Sequence, residues 1–302
     1  MENRLSFTPA FIGTIHRFAY ELILELSEKH GFRVSLMREY QLKDLIYKIA
    51  NDHDFPMQEV DTLYNYLTNQ NYFVANNPII PSYYRKLEKY YKNFKKETGI
   101  YDLTDSPLYL LKKIEQYGIN LDYEYLFVDE AQDLSPDQYE LINKLPIPNK
   151  FIIGDPLQSI YMFRGADGFV FEKFIKNNYK QYILNKNYRS YQEILDYAGA
   201  PLVAAKGSGG KIFEDCDEAI QTSPRILCRS NQEVQKIQKI YDNVSTIHAA
   251  KGLEYDNVIV IPFDLNNDEE KNIYYVALTR AKNGIGVFSL KEVLRSIKKN
   301  KK

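Results

Sequence analysis

The 302-residue sequence has no tryptophan, two cysteines and four methionines. Cys216 and Cys228 make neither a CxxC pair nor a metal set, which excludes a disulfide framework and points to a reducing, cytoplasmic setting. No apolar run approaches the roughly 18 residues of a membrane span, and Met1-Glu2-Asn3-Arg4 leads into no signal-peptide core, so no membrane is expected. An excess of charge of one sign is missing too. The 39 Lys and Arg stand against 40 Asp and Glu, a net charge of -1. No global basic field advertises nucleic acid, and any such contact rests on local patches. Hydrophobic residues at 44% and charged residues at 26% are ordinary globular values, which excludes a disordered, collagenous or coiled-coil chain. The length predicts roughly two domains.

What is present is an alternation of short apolar strands with helical stretches through the last two thirds of the chain, the pattern of a parallel α/β sheet. The strand candidates are 125–128, 151–153, Tyr182-Ile183-Leu184, 225–228, 258–261 and 285–288. Their continuous apolar character suits strands covered on both faces. Polar residues follow several of them: Asp129-Glu130, Gly154-Asp155 and Asn187-Tyr188-Arg189. Ligands in open α/β sheets bind outside the carboxyl ends of strands, where these residues would fall. Residues from about 28 to 118 are helical and rich in Tyr and Lys, and read as an insertion between sheet elements. Within them, Tyr83 to Thr98 carries Arg85, Lys86, Lys89, Lys92, Lys95 and Lys96 against Glu88 and Glu97. Leu87, Tyr90, Tyr91 and Phe94 recur at helical spacing, so this is an amphipathic helix whose basic face is either solvated or set against a nucleic-acid backbone. The basic tail from Arg295 to Lys302 reads as a frayed end.

Two adjacent carboxylates leave the strand Leu126-Phe127-Val128. In nucleotide hydrolysis the first typically holds Mg²⁺ and the second orients and deprotonates water, although Asp-Glu after a strand could equally cap a helix. The next strand ends in Gly154-Asp155-Pro156-Leu157-Gln158-Ser159, running on to Phe163-Arg164-Gly165. Together with Asp129-Glu130-Ala131-Gln132-Asp133, this string closely resembles the second and third motifs of superfamily 1 helicases of the UvrD/Rep/PcrA type. The resemblance continues in the family's order. Gly13-Thr14-Ile15-His16-Arg17-Phe18 is similar to the early DNA-contact motif. Asn187-Tyr188-Arg189-Ser190 matches the fourth motif, Thr246 to Glu254 the fifth, and Tyr275 to Lys282 the sixth.

The resemblance implies two RecA-like parallel-sheet domains, the first incomplete and carrying the helical insertion, over residues 1–177 and 178–302. It implies ATP and Mg²⁺ as ligands and single-stranded DNA as partner, with 3′-to-5′ unwinding. By position, Asp129 would take Mg²⁺, Glu130 would be the general base, and Gln158 would sense the γ-phosphate. Arg189 and Arg280 would reach that phosphate as arginine fingers, Tyr188 would stack on adenine, and Glu254 would bind the ribose. Thr14, His16, His248 and Lys251 would line the DNA track, with Phe163 stacked on a base. Read without the family, Arg189 and Arg280 are as well explained as ion-paired structural arginines, and Phe163 as a core residue.

One family element is missing from these residues. The first motif, a Gly-rich phosphate loop ending in Gly-Lys-Thr or Gly-Lys-Ser, should precede Gly13, yet only twelve residues do so here. Gly207-Ser208-Gly209-Gly210-Lys211 does not replace it, because Ile212 stands at the hydroxyl position and no strand is expected to lead in. It reads as a flexible turn. The expectation is therefore a truncated or split motor, an ATP-dependent DNA helicase completed by a partner chain that supplies the phosphate loop and inactive without it. The alternative is a non-catalytic single-stranded nucleic-acid-binding or regulatory module that kept the fold.

Overall fold

Thr14 opens the first helix by accepting the Arg17 backbone N–H at 3.3 Å, and Gly31 closes it at φ 70°, a left-handed turn that favours glycine. Between them Ala19, Leu22, Ile23 and Leu26 put one stripe inside. This helix, α1 (Ile15–His30), begins a computed structural model that describes residues 11–57, 60–68, 82–161, 166 and 168–300. The chain divides into two compact units, residues 1–153 with 161–170 and residues 154–160 with 171–302.

The first unit continues with α2 (Glu39–Asp52), α3 (Val60–Thr68), α4 (Ser82–Thr98), α5 (Ser106–Tyr117), β1 (Tyr125–Val128), α6 (Pro136–Lys144) and β2 (Asn149–Ile152). Its described residues include two apolar cores. Leu22, Ile23 and Leu26 of α1 pack with Leu110 and Ile114 of α5 and Leu141 of α6. A separate core joins Ile46 of α2, Leu63 and Tyr66 of α3, and Leu87 and Tyr91 of α4. The independently packed insert is thus narrower than 28–118. Helical periodicity runs through the whole stretch, but α5 spends its apolar stripe on α1 and belongs to the body of the unit. In α4 the buried residues are Tyr84, Leu87 and Tyr91, whereas Tyr90 is exposed and stacks on His53 with 3.7 Å between centroids.

β1 and β2 pair in parallel from Tyr125↔Asn149 to Val128↔Ile152. Val128 is buried, but Phe127 is 60% and Phe151 49% exposed, and their rings stack 4.9 Å apart. Cover on both faces, expected from the sequence, is therefore absent here among the described residues. An apolar run specifies that a strand can be covered; it does not supply the cover.

The second unit contains α7 (Val170–Lys176), β3 (Lys186–Asn187), α8 (Gln192–Tyr197), β4 (Val203–Ala204), β5 (Lys211–Phe213), α9 (Cys216–Gln221), β6 (Arg225–Cys228) and α10 (Asn231–Gln238). It ends with β7 (Val244–Thr246), α11 (Ile247–Ala250), β8 (Tyr255–Val260), α12 (Asp268–Leu278), β9 (Ala281–Val287) and α13 (Leu290–Asn300). Its main sheet is wholly parallel in the order β5-β9-β8-β6-β7. Ile226, Leu227, Cys228 and Val258 to Val260 are fully buried, as strands covered on both faces should be. Full burial of such a side chain contributes roughly 1.5–3 kcal/mol. Chains approach closely at β9, where a Cβ on Gly284 would meet the Phe213 ring at 2.6 Å. The α/β class with parallel sheets is as the sequence predicts.

Two local expectations are corrected. Tyr182-Ile183-Leu184 is not a strand: these residues are exposed, and pairing begins at Lys186, opposite Val203. The basic tail is not frayed as far as Asn300. Val293 and Ile297, four residues apart, are buried on one face of α13, which packs on α9, and Lys299 is ion-paired with Asp217.

Candidate functional site

In the first unit, β1 delivers Asp129 and Glu130 at its carboxyl end. Asp129 Oδ1 accepts the Glu130 backbone N–H at 2.8 Å. Glu130 sits at φ 52°, a left-handed conformation uncommon for a residue with a Cβ and recurrent at functional sites. Behind it the buried Gln132 donates its amide to the Glu130 carboxylate. The loop is tied to the end of β2 by Ala131 N–H to Ile153 O at 2.9 Å and Ile153 N–H to Val128 O at 2.8 Å. The helix cap is a separate device. Ser135 and Gln138 form the capping box of α6, with Pro136 at its first turn.

A cavity of about 940 Å³ runs along β1 and brings Thr14, His16, Asp129 and Glu130 to one lining. The Thr14 hydroxyl is engaged as the α1 cap. His16 Nδ1 lies 3.4 Å from Gln138 Nε2. Burial lowers the His16 imidazole below its ordinary value, against the opposing charges of Asp102 and Asp137. Phe163 lies outside the described residues. Among the described residues no three His, Cys, Asp or Glu side chains cluster to hold a metal. A single carboxylate such as Asp129 suits Mg²⁺, which takes most of its ligands from phosphates and water.

The second unit gathers Gln158, Arg189, Glu254 and Arg280. Gln158 ends a short turn capped by Asp155, whose Oδ2 accepts the Gln158 Nε2 at 2.9 Å. Gln158 Oε1 accepts from Arg280 Nη2 at 3.0 Å. The same loop is held at its carbonyls, by Lys251 Nζ on Gln158 O at 2.9 Å and Asn272 Nδ2 on Ser159 O at 3.1 Å. Arg280 is 1% exposed, and its other guanidinium nitrogens donate to Val276 O at 3.1 Å and Leu253 O at 3.2 Å. With a bond from each of its three nitrogens, the buried guanidinium offsets part of its desolvation.

Beside it, Arg189 Nε donates to Glu254 Oε2 at 3.0 Å and its Nη1 to Thr279 O at 3.2 Å. The Arg189 hydrogen bond, then the charges of Arg189, Lys282 and Lys206, hold the Glu254 carboxyl below its usual range. Tyr188 is 71% exposed, its ring 5.5 Å from the Lys186 ammonium. His248 lies on α11, which the Thr246 hydroxyl caps at Ala249 N–H, 3.2 Å.

Glu254 and Arg280, which the resemblance alone singles out, immediately precede β8 and β9, whereas Arg189 follows β3, as the strand-end reading has it. Lys251, read as a DNA-track residue, has its ammonium on the Gln158 carbonyl. The Gly207–Gly210 turn does have a short strand, β4, ahead of it, yet its amides are taken. Gly209 N–H and Gly210 N–H donate to the Glu193 carboxylate at 3.0–3.1 Å. Sequence reading missed Gln132, Glu193 and Asn272. Gln132 lies within a quoted motif; the other two carry no spacing signal.

Comparison with known proteins gives two family models that each match more than half of the chain. The UvrD/REP helicase N-terminal domain matches residues 2–180, and the viral superfamily 1 RNA helicase core domain matches residues 92–289. The "Probable DNA helicase" of Mycoplasma pneumoniae is 27% identical over 261 residues, covering 64% of this chain and 49% of that protein. The RecBCD enzyme subunit RecB of Buchnera aphidicola subsp. Acyrthosiphon pisum is 35% identical over 127 residues, covering 39% and 11%. The chain thus spans about half or less of the length of these curated relatives. A solved structure of the PRRSV helicase aligns with TM-score 0.40 and 19% identity, covering 60% of this chain and 38% of that one.

Proposed function

Because the chain belongs to the UvrD/REP helicase family, we propose that it forms most of the motor of an ATP-dependent DNA helicase. The motor moves 3′ to 5′ on single-stranded DNA, a direction that rests on family membership. Its phosphate loop comes from residues outside these 302. The exposed Phe127–Phe151 face supports that part of the reading, since a two-stranded parallel sheet needs further elements to cover it.

Asp129 would hold Mg²⁺, which when bound neutralises charge on the phosphate oxygens. Glu130 accepts a proton from the attacking water, its carboxylate held by Gln132. Arg189 and Arg280 neutralise charge that builds on the transferred phosphoryl group, a role that can contribute roughly 10³–10⁵ in turnover. Tyr188, with its ring exposed, offers a face for adenine, and Glu254 offers a carboxylate for ribose hydroxyls. Thr14, His16, Phe163, His248 and Lys251 contact single-stranded DNA, Lys251 coupling that contact to Gln158 through its bond to the Gln158 carbonyl.

The observation that carries the reading is the Arg280–Gln158 hydrogen bond, which joins residues 122 positions apart in two separate family motifs. Gln158 is also fixed by Asp155, so its amide is oriented rather than left to rotate. The test is ATP hydrolysis by the chain with oligo-dT, with and without a separately produced phosphate-loop segment. Turnover is expected only with the segment present. DNA-stimulated turnover by the chain alone would overturn the divided arrangement. Oligo-dT binding with no turnover in either case would favour the non-catalytic module, a reading supported by the occupied Gly209 and Gly210 amides.

A further inference from the structure

We propose that Gln138 is a positioning residue for single-stranded DNA: it fixes His16 as the Nε2–H tautomer, so that the ring meets the strand as an uncharged hydrogen-bond donor. The inference rests on the proposed function in placing His16 on the DNA track, while the Gln138–His16 pair stands on geometry alone. The pair joins residues 122 positions apart. His16 lies in the first turn of α1 and Gln138 in the first turn of α6, and both line the cavity along β1. The two helices share one core, to which α1 gives Leu22 and Ile23 and α6 gives Leu141, one turn beyond Gln138.

The helix cap sets the orientation of the amide. Gln138 Oε1 accepts the Ser135 backbone N–H at 2.9 Å, and the Gln138 backbone N–H donates to Ser135 Oγ at 3.3 Å. With the oxygen so engaged, the NH₂ side faces His16, and Nε2 of the amide lies 3.4 Å from Nδ1 of the ring. An amide nitrogen only donates, so Nδ1 accepts. A neutral imidazole that accepts at one nitrogen carries its proton on the other, and the hydrogen-bond pattern assigns that proton to Nε2. An imidazolium would set two donors face to face. Burial also favours the neutral ring, against Asp102 and Asp137, whose charges favour the imidazolium; Asp129 and Glu130 share the cavity lining.

The cap alone does not ask for glutamine. Glutamate closes a capping box equally well and complements the positive end of the helix dipole better. What glutamine adds is the NH₂ group, and here that group is directed at His16. Phosphate oxygens and thymine carbonyls are acceptors, which an Nε2–H serves and an Nε2 lone pair repels. A neutral donor also displaces no counterion, so His16 adds a hydrogen bond without adding to the salt dependence of binding.

The test is long-range ¹H–¹⁵N NMR of the imidazole nitrogens in the full chain, with oligo-dT anisotropy on the same variants. His16 is one of four histidines, and H16A identifies its signal. In the unaltered chain at pH 7.5 the ring should be the neutral Nε2–H tautomer. Q138E keeps the capping box but turns the donor into an acceptor, so the neutral ring should move its proton to Nδ1 and its pKa should rise. S135A removes the hydroxyl half of the cap and keeps the backbone N–H on Gln138; it should lower the melting temperature and leave the tautomer unchanged. At pH 9, where both rings are neutral, Q138E should bind oligo-dT about 2- to 10-fold more weakly. As the pH is lowered its binding should recover, with a salt slope larger by about 0.7 once the charged ring neutralises a phosphate. An Nδ1–H or charged His16 in the unaltered chain, or a tautomer and pKa unchanged by Q138E, would overturn the proposal. So would oligo-dT binding weakened by H16A and not by Q138E at pH 9. Binding unmoved by both variants, with the tautomer as expected, would instead overturn the DNA contact of His16 in the proposed function and leave the Gln138–His16 pair standing.

Discussion

Removing Arg280 should cost the second unit more stability than removing Gln158, and the two losses should not add. The Arg280 guanidinium is buried and donates to Gln158 Oε1, Val276 O and Leu253 O. Replacement by methionine keeps much of the volume and removes all three bonds. Leu253 is 51% exposed, so its carbonyl rehydrates, and Val276 O still receives the Thr279 hydroxyl at 3.3 Å. The main uncompensated loss is then the charged donor on Gln158, together with the weakened packing around it. That sums to about 2–4 kcal/mol for Arg280→Met. Gln158→Ala leaves Arg280 Nη2 with the long 3.4 Å contact to Thr279 Oγ1 and should cost about 1–2 kcal/mol. The double variant should fall short of the sum by about 1–2 kcal/mol, since the shared bond can be removed only once. Native-state hydrogen exchange of peptides spanning β6 and β8 reads this opening energy, because Leu227 and Ile259 are fully buried there. Additivity within about 0.3 kcal/mol would refute the claim that Gln158 and Arg280 act as one unit.

Further outcomes follow from single groups. His16 has a lowered value in the fold, so the unfolded chain binds more protons at mildly acidic pH. Its contribution is therefore intact above the ordinary value of 6.5 and is lost as pH falls through 6.5 toward the folded value. Thermal melts from pH 7.5 to 5 should show that loss, and H16Q should flatten it; an identical pH profile in H16Q would contradict the assignment. Burial pushes the Cys228 thiol up to about 12, so it should resist thiol reagents at pH 8 until the second unit opens, and rapid labelling of the native chain would refute this. E193A should speed amide exchange at Gly209 and Gly210 by releasing their acceptor, with little effect on β6; unchanged exchange at both glycines would show that the carboxylate is not their partner.

The sequence carried the parallel α/β class because long apolar runs and helical spacing are local properties. It placed Asp129 and Glu130 correctly after β1, since a strand-end rule needs only the strand. The rule does not reach Glu254 and Arg280, which precede β8 and β9 and are legible only through their motifs. Tyr182, Ile183 and Leu184 have strand composition but stand exposed, because pairing is decided by neighbours that composition does not name. Lys95 shows the converse. It reads as one more surface lysine, yet burial and the carboxylates Asp102 and Asp105 make it a structural cation, the carboxylates outweighing burial to raise its value. The Glu193 cap on Gly209 and Gly210 spans 16 and 17 residues and follows no motif. Only the fold brings them together.

The general base at the end of β1 is the most direct point of test. Glu130→Gln removes the proton acceptor while keeping the shape and the Gln132 contact site, so nucleotide binding and turnover should separate. In the reconstituted mixture of chain, phosphate-loop segment and oligo-dT, affinity for a fluorescent ATP analogue should stay within about twofold, since binding does not need the base. Single-turnover hydrolysis should fall by about 10²–10⁴. Hydrolysis by Glu130→Gln at the rate of the unaltered chain would contradict the account, whatever the affinity.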